Sequence, residues 1–312
     1  ASKGDGQKTK FIGREKGYHG VNFGGVSVGG LTPNRKSFGP LLPGIDHMPH
    51  TWSPEDMAFS KGQPEWGLHL AEDLEKILVL QDPSTVAAVI IEPVTGSGGV
   101  IVPPVGYLER IREICTKHDV LLIFDEVITA FGRLGDSFAA NRFNVRPDII
   151  TMAKGLTSAV IPMSAVAFDT TIYDQLMKGP EAMIELFHGY TYSGHPVACA
   201  AGIATLDVYQ EEGLFDKAKE LEPIFEEALH SLKGLNQVID IRNIGLMGAV
   251  QFGPGKLPAT EFAANVFQHC YDNDVLVRYS GEFLVLSPSL IASKEHIHQI
   301  SDALRNAIEA NS

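Results

Sequence analysis

Cysteine is scarce in this chain of 312 residues: Cys115, Cys199 and Cys270 are the only three, and no two form a Cys-x-x-Cys pair. That excludes a disulfide framework and a zinc ribbon. It predicts buried thiols in a reducing compartment, and hence a cytoplasmic protein. Positive charge is also short, with 25 Lys and Arg against 38 Asp and Glu and a formal net charge of −13. Nucleic acid and anionic membrane, which need clustered positive charge, are poor candidates as partners. No apolar run approaches the length of a bilayer span, and the longest, around Val86 to Ile91, suits a buried strand. The N-terminal Ala1-Ser-Lys-Gly-Asp-Gly-Gln-Lys has no apolar region of a signal peptide.

Several chemical motifs are missing as well. The glycines at 24, 25, 29 and 30 lack the Gly-x-Gly-x-x-Gly spacing and are expected in a loop. His47 and His50 have no third ligand at helical spacing, and His296 and His298 fall on different faces of a helix, so no metal site is expected. Ser193, in Tyr192-Ser-Gly194, does not match the Gly-x-Ser-x-Gly elbow of a hydrolase.

What is present is a mixed α/β pattern. Hydrophobic residues make up 44% of the chain, enough for a sizeable core. Strands are expected from Phe11 toward Tyr18, near Ile45, and over 87–93, 121–127, 148–153 and 164–168. Helices are expected over 70–78, 107–118 and the alanine-rich 197–209. Residues 31–66 show no clear periodicity and are expected to form a surface connection. Strands alternating with helices predict a mostly parallel sheet covered on both faces. After Glu211-Glu-Gly213 come helices over 214–232, 260–272 and 294–310, with strands near Ile239, 248–252 and 283–287. The expected division is a large α/β domain over 1–209 and a smaller α+β domain over 210–312.

Two of the large-domain strands each deliver a charged residue at the C-terminal end. Leu121-Leu-Ile-Phe-Asp125 ends in a carboxylate, and Asp148-Ile-Ile-Thr-Met-Ala-Lys154 ends in an amine. In an open α/β sheet, ligands bind in the crevice outside those ends. A lysine and a carboxylate meeting there suit pyridoxal phosphate: the amine forms a Schiff base with the cofactor aldehyde, and the carboxylate keeps the pyridine nitrogen protonated. Taken singly, Lys154 reads better as a solvated lysine and Asp125 as a helix cap; the pair on consecutive strands favours the cofactor.

Four further positions carry chemistry, each with an ordinary alternative. Tyr18, at a strand end, could stack on a heteroaromatic ligand or simply fill the core. Val127, two residues beyond Asp125, shares its side of a strand by period two and could press on the same ring. Thr191 precedes a helix whose N-terminus suits a phosphate, although Ser193 could serve as an ordinary N-cap there. Arg278 follows Val275-Leu-Val277 and could clamp a carboxylate or make a surface salt bridge.

As a set, these segments resemble the class III (ω-) aminotransferases of fold type I. The resemblance covers essentially the whole chain and is nearest to the branch that uses β-alanine or another ω-amino acid with pyruvate. The motifs are Phe11-Ile-Gly-Arg-Glu-Lys-Gly-Tyr-His-Gly20, Ile91-Glu-Pro-Val94, Phe124-Asp-Glu-Val127, Thr151-Met-Ala-Lys-Gly155, Gly189-Tyr-Thr-Tyr-Ser-Gly-His-Pro196 and Val277-Arg-Tyr-Ser-Gly281. The resemblance implies that Lys154 and Asp125 are catalytic. It implies that Tyr18, His19, Glu92 and Val127 join them in holding the cofactor, with Thr191 reaching the phosphate of a neighbouring subunit. A homodimer or homotetramer follows from that last role. Arg278 becomes the candidate for the substrate carboxylate, with pyruvate and an amino donor as the small-molecule partners.

Related branches that handle ornithine or 4-aminobutyrate pair a Glu and an Arg as a gate. The matching positions here are Ser97 and Val285, and the joint absence favours the pyruvate-using branch. Family members also carry further chain before the Phe11 strand, so the sequence is expected to start inside the helix that follows a phosphate-binding loop. The alternatives are another class III activity, such as an aminomutase or decarboxylase, and a non-catalytic fragment.

Overall fold

The computed structural model describes residues 5–178, 186 and 188–312. The first part of the chain runs β1 (Lys10–Arg14), α1 (Phe23–Val28), α2 (Thr32–Ser37), β2 (Ile45–Met48), α3 (Pro54–Met57), α4 (Glu72–Gln81), β3 (Val86–Ile91), α5 (Tyr107–Lys117) and β4 (Leu121–Asp125). It continues with α6 (Ala139–Arg142), β5 (Ile149–Met152), β6 (Ala165–Phe168), α7 (Thr170–Leu176) and α8 (Pro196–Glu211). The remainder is α9 (Leu214–His230), β7 (Val238–Ile244), β8 (Met247–Phe252), α10 (Ala259–Asp272), β9 (Arg278–Ser280), β10 (Phe283–Leu286) and α11 (Lys294–Ala310).

The strands form two sheets. The first has the order β2-β1-β3-β4-β5-β6, and only β6 runs antiparallel to its neighbour. The second, β7-β8-β10-β9, is antiparallel throughout. In β3, Val86, Ala88, Val89 and Ile91 are buried. That near-continuous apolar run is what a strand covered on both faces requires. α5 covers it with Tyr107, Leu108, Ile111, Ile114 and Cys115, all buried, at helical spacing. One apolar core joins Ile91 and Phe124 to Ile244, Met247, Ala249 and Val285 of the second sheet. A second core packs α9, α10 and α11 on that sheet.

The structure departs from several expectations. The glycines at 24 and 25 lie inside α1 rather than in a loop, and the irregular stretch 31–66 contains α2 and α3 as well as β2. Gly25 shows why its side chain is missing: a Cβ would fall 2.3 Å from the His19 carbonyl oxygen. β1 stops at Arg14, well before Tyr18, and β4 stops at Asp125, so Val127 lies in a turn. The period-two reason for placing Val127 beside Asp125 therefore fails, because pleat alternation ends with the strand. All three thiols are free; Cys115 and Cys270 are buried, but Cys199 is half-exposed. Burial pushes the Cys115 thiol up to about 12 and Cys270 to about 11, which makes both poor nucleophiles. Among the described residues no helix is long and apolar enough to cross a membrane, and no group of three or more His, Cys, Asp or Glu could hold a metal ion.

Candidate active site

The parallel strands β3, β4 and β5 lie side by side, and their C-terminal ends deliver Glu92, Asp125 and Lys154 in turn. Asp125 is in register with Thr151 on β5. Neighbouring strands sit about 4.8 Å apart, so these ends converge although they are remote in sequence. Asp125 is only 8% exposed. Its Oδ2 meets His19 Nδ1 at 2.8 Å, and its Oδ1 accepts from the Val127 amide at 3.1 Å. Val127 thus orients the carboxylate through its backbone, whatever its side chain does. His19 Nε2 is buried and has no hydrogen-bond partner among the described residues.

Glu92 ties two loops together. Its Oε1 accepts from the Tyr18 amide at 2.9 Å and its Oε2 from the Gly96 amide at 2.8 Å. Burial raises its pKa and the nearby Asp125 adds to the rise, opposed by His19 and those two amides. Below it, Arg14 donates to the Glu92 carbonyl at 2.7 Å and to Thr95 Oγ1 at 2.8 Å. The next carboxylate along, Glu126, is fully buried and accepts from the Ala139 and Ala140 amides at 2.5 and 2.9 Å, which fastens the segment after β4.

Lys154 opens a short 3-10 turn and has φ 39, in the left-handed region. A non-glycine residue there stores of order 1–3 kcal/mol, sustained only by its surroundings. The surroundings here are Tyr209 Oη, which donates to the Gly155 carbonyl at 2.6 Å, and Phe131, whose Cβ would lie 2.8 Å from any Cβ at Gly155. The Lys154 amine has no hydrogen bond or ion pair among the described residues. Desolvation lowers its pKa, helped by Arg278 and opposed by Asp125 and Glu92. A lowered pKa leaves more neutral, nucleophilic amine at a given pH. Without cofactor, Lys154 should therefore be acylated faster at mildly alkaline pH than Lys76, and pyridoxal phosphate should protect it. Peptide mapping after partial labelling reads this out; equal labelling of the two lysines would contradict it.

Lys154 and Arg278 both line an open cleft of about 940 Å³, together with Ile128, Phe131, Tyr209 and Leu290. Tyr18, His19, Glu92, Asp125 and Thr191 do not line it. Arg278 makes no salt bridge among the described residues; its Nη1 makes a long 3.5 Å contact with Ser97 Oγ. Tyr18 is half-buried and Thr191 is exposed in the turn before α8. Ser193 does not cap α8: its hydroxyl accepts from the Tyr190 amide, and the N-cap is His195, with no side-chain cap. So the structure gathers His19, Asp125 and Val127 into one hydrogen-bonded group and Glu92 with the Tyr18 amide into another, the two joined through the Tyr18–His19 backbone. Lys154 feels the charges of Asp125 and Glu92, and that of Arg278; Thr191 makes no hydrogen bond to these residues among the described ones. Sequence reading passed over Arg14 and Arg242, both buried. In Val238-Ile-Asp-Ile-Arg242, charges two apart on one strand face were the available signal for Arg242.

These residues suit pyridoxal phosphate. An unpartnered, partly desolvated amine stands at one strand end, and an oriented, buried carboxylate stands at the next. Fold and site define a pyridoxal phosphate-dependent aminotransferase. The aminotransferase class-III family pattern matches residues 1–308, and the chain belongs to that family, whose enzymes use this cofactor. The chain is 54% identical over 307 residues to an omega-aminotransferase of Caulobacter vibrioides, covering 98% of this chain and 70% of that protein. It is 48% identical over 309 residues to a beta-alanine–pyruvate aminotransferase of Pseudomonas aeruginosa, covering 98% and 68%. Among solved structures, an amine transaminase from an uncultivated Pseudomonas species in its PLP-bound form superposes with a TM-score of 0.92 at 36% identity, covering 100% of this chain and 72% of that one. The shared fold is that of fold type I, with a mixed, mostly parallel sheet and a separate antiparallel sheet.

Proposed function

We propose that this enzyme moves an amino group from an ω-amino acid such as β-alanine, or from a primary amine, to pyruvate, giving alanine and a semialdehyde or ketone. The observation that carries this reading is Arg278, a cation in the same cleft as Lys154 that makes no salt bridge among the described residues. Ser97 and Val285 stand beside it where a Glu–Arg gate would otherwise sit: Val285 is its register partner and Ser97 its nearest polar contact. Without an acidic gate residue at Ser97, Arg278 is free to receive the carboxylate of pyruvate or β-alanine.

Bound pyridoxal phosphate supplies the electron sink for the pair left on the donor's amine-bearing carbon. Lys154 would anchor the cofactor, and its Nζ would then take the proton from that carbon and deliver it to the cofactor; its lowered pKa favours that base role. Asp125, held by His19 and the Val127 amide, keeps a proton on the ring nitrogen. Tyr18 and Val127 would help hold the cofactor ring, Glu92 fixes the loops beside it through the Tyr18 and Gly96 amides, and Thr191 would hold the phosphate of a second subunit in a homodimer or homotetramer. The two separate sheets support a division into 1–209 and 210–312, although one apolar core spans both parts, and the cysteine usage supports a cytoplasmic location.

The test is donor selectivity. Arg278→Ala should lower the efficiency of β-alanine and pyruvate by roughly tens- to several hundred-fold, the worth of a lost charge-assisted bidentate contact. A plain primary amine, followed in the amine half-reaction alone, should be affected far less. Equal loss for charged and uncharged donors would mean that Arg278 supports the fold instead. A parental enzyme that forms no alanine from pyruvate and β-alanine would remove the substrate assignment.

A further inference from the structure

Sheet register places a second arginine in line with Arg278. Arg242 on β7 faces Ala249 on β8, Ala249 faces Val285 on β10, and Val285 faces Arg278 on β9. Residues directly opposite one another across a sheet present their side chains to the same face. The row therefore carries an arginine at each edge strand with small or medium residues between, and both guanidinium groups turn toward the segment 95–101.

That segment is a tight, buried hairpin. Thr95 and Ile101 exchange backbone hydrogen bonds at 3.1 and 3.0 Å, and the Gly99 and Val100 amides both donate to the Gly96 carbonyl at 3.2 Å. Its tip cannot thicken, since a Cβ on Gly98 would lie 2.3 Å from the Lys16 carbonyl oxygen. Arg242 holds the far side of the tip. Its Nε and Nη2 both donate to the Gly99 carbonyl, at 3.0 and 2.8 Å, and Nη2 reaches Gln251 Oε1 at 3.3 Å. Arg242 is itself fixed: Nη1 bonds Asp240 Oδ2 at 2.5 Å, and its guanidinium lies 5.0 Å from the centre of the Trp52 ring. Asp240 is locked in turn by Trp52 Nε1 at 2.9 Å and the Phe59 amide at 2.6 Å. Two residues before Gly99, Ser97 makes the 3.5 Å contact with Arg278.

We infer that Arg242 is a positioning residue for substrate carboxylate recognition: it clamps the Gly99 carbonyl and so sets Ser97, and with it the resting place of Arg278. The inference rests on the reading of Arg278 as the carboxylate site. Arg242 does not itself line the cleft that holds Lys154 and Arg278. Its effect is confined to the end of the cleft where the carboxylate lies.

The experiment uses the cofactor-loaded enzyme in parental form and as Arg242→Lys, Arg242→Gln, Arg278→Ala and the Arg242→Gln/Arg278→Ala double variant. The amine half-reaction is followed by cofactor absorbance with β-alanine and with propylamine. Hydrogen exchange of the peptide spanning 95–101 gives a readout independent of turnover. Arg242→Gln should raise the half-saturating β-alanine concentration about 10- to 100-fold, the range expected when a supporting contact is lost, with propylamine little changed and hairpin exchange faster. Arg242→Lys, which keeps the charge, should recover part of the loss. In the Arg278→Ala background the Arg242 change should add almost nothing for β-alanine, because coupled residues are non-additive. Equal loss for both donors, or full additivity with Arg278→Ala, overturns the inference. If Arg242→Gln does not fold, Gly99→Ala disturbs the same contact from the other side. Its Cβ would sit 3.3 Å from Arg242 Nη2 at φ +117; it must show the same selectivity, and an unselective loss overturns the inference equally. A selective Arg278→Ala with an unselective Arg242→Gln removes only the role of Arg242, whereas an unselective Arg278→Ala removes the reading beneath it.

Discussion

Lys154→Ala should abolish transamination, with a loss of roughly 1,000-fold or more, since covalent anchoring and proton transfer by a positioned base disappear together. Among the described residues no other lysine lines the cleft, which leaves no neighbouring amine there to take over. The fold should survive, because the Lys154 amine makes no hydrogen bond or ion pair among the described residues, and relief of a left-handed lysine is no larger than a few kcal/mol. The measurement is single-turnover conversion with β-alanine, alongside circular dichroism to confirm folding. Near-parental turnover in a folded variant would sink the assignment of Lys154.

Asp125→Asn is the second large effect. The substitution keeps the size of the side chain and an acceptor for the Val127 amide, but it removes the charge that holds a proton on the ring nitrogen. An unprotonated ring is a poor electron sink, so the half-reaction should slow by roughly 100-fold or more. Cofactor should still attach through Lys154, visible as retained visible-range absorbance. His19 makes the prediction sharper. Its Nδ1 pairs with Asp125 Oδ2, and its other nitrogen is buried without a hydrogen-bond partner among the described residues, so the asparagine must also satisfy this imidazole. An unchanged rate would make Asp125 a structural residue only.

Much of the large sheet was legible because its strands are short apolar runs of the period and length that buried parallel strands require. The runs ending at Asp125 and Lys154 were informative as a pair, since an amine and a carboxylate on consecutive apolar strands point to a shared ligand although neither does so alone. The segment 20–30 was not legible. Glycine reads as a breaker, yet Gly25 sits in α1 because only a residue without Cβ clears the His19 carbonyl. Val127 was placed near Asp125 for a reason that failed, since β4 ends one pleat too early. Its backbone amide nonetheless reaches the carboxylate.

The sequence by itself determined most of the large-sheet strands and the lysine and carboxylate at two strand ends, because local periodicity and residue chemistry are written along the chain. Only the tertiary structure decided which of these groups meet. The contact of His19 with Asp125, the grip of Glu92 on two loops, and the row from Arg242 to Arg278 all join residues distant in sequence. Strand register and loop closure set those pairings, and both follow from packing the whole core rather than from any local pattern.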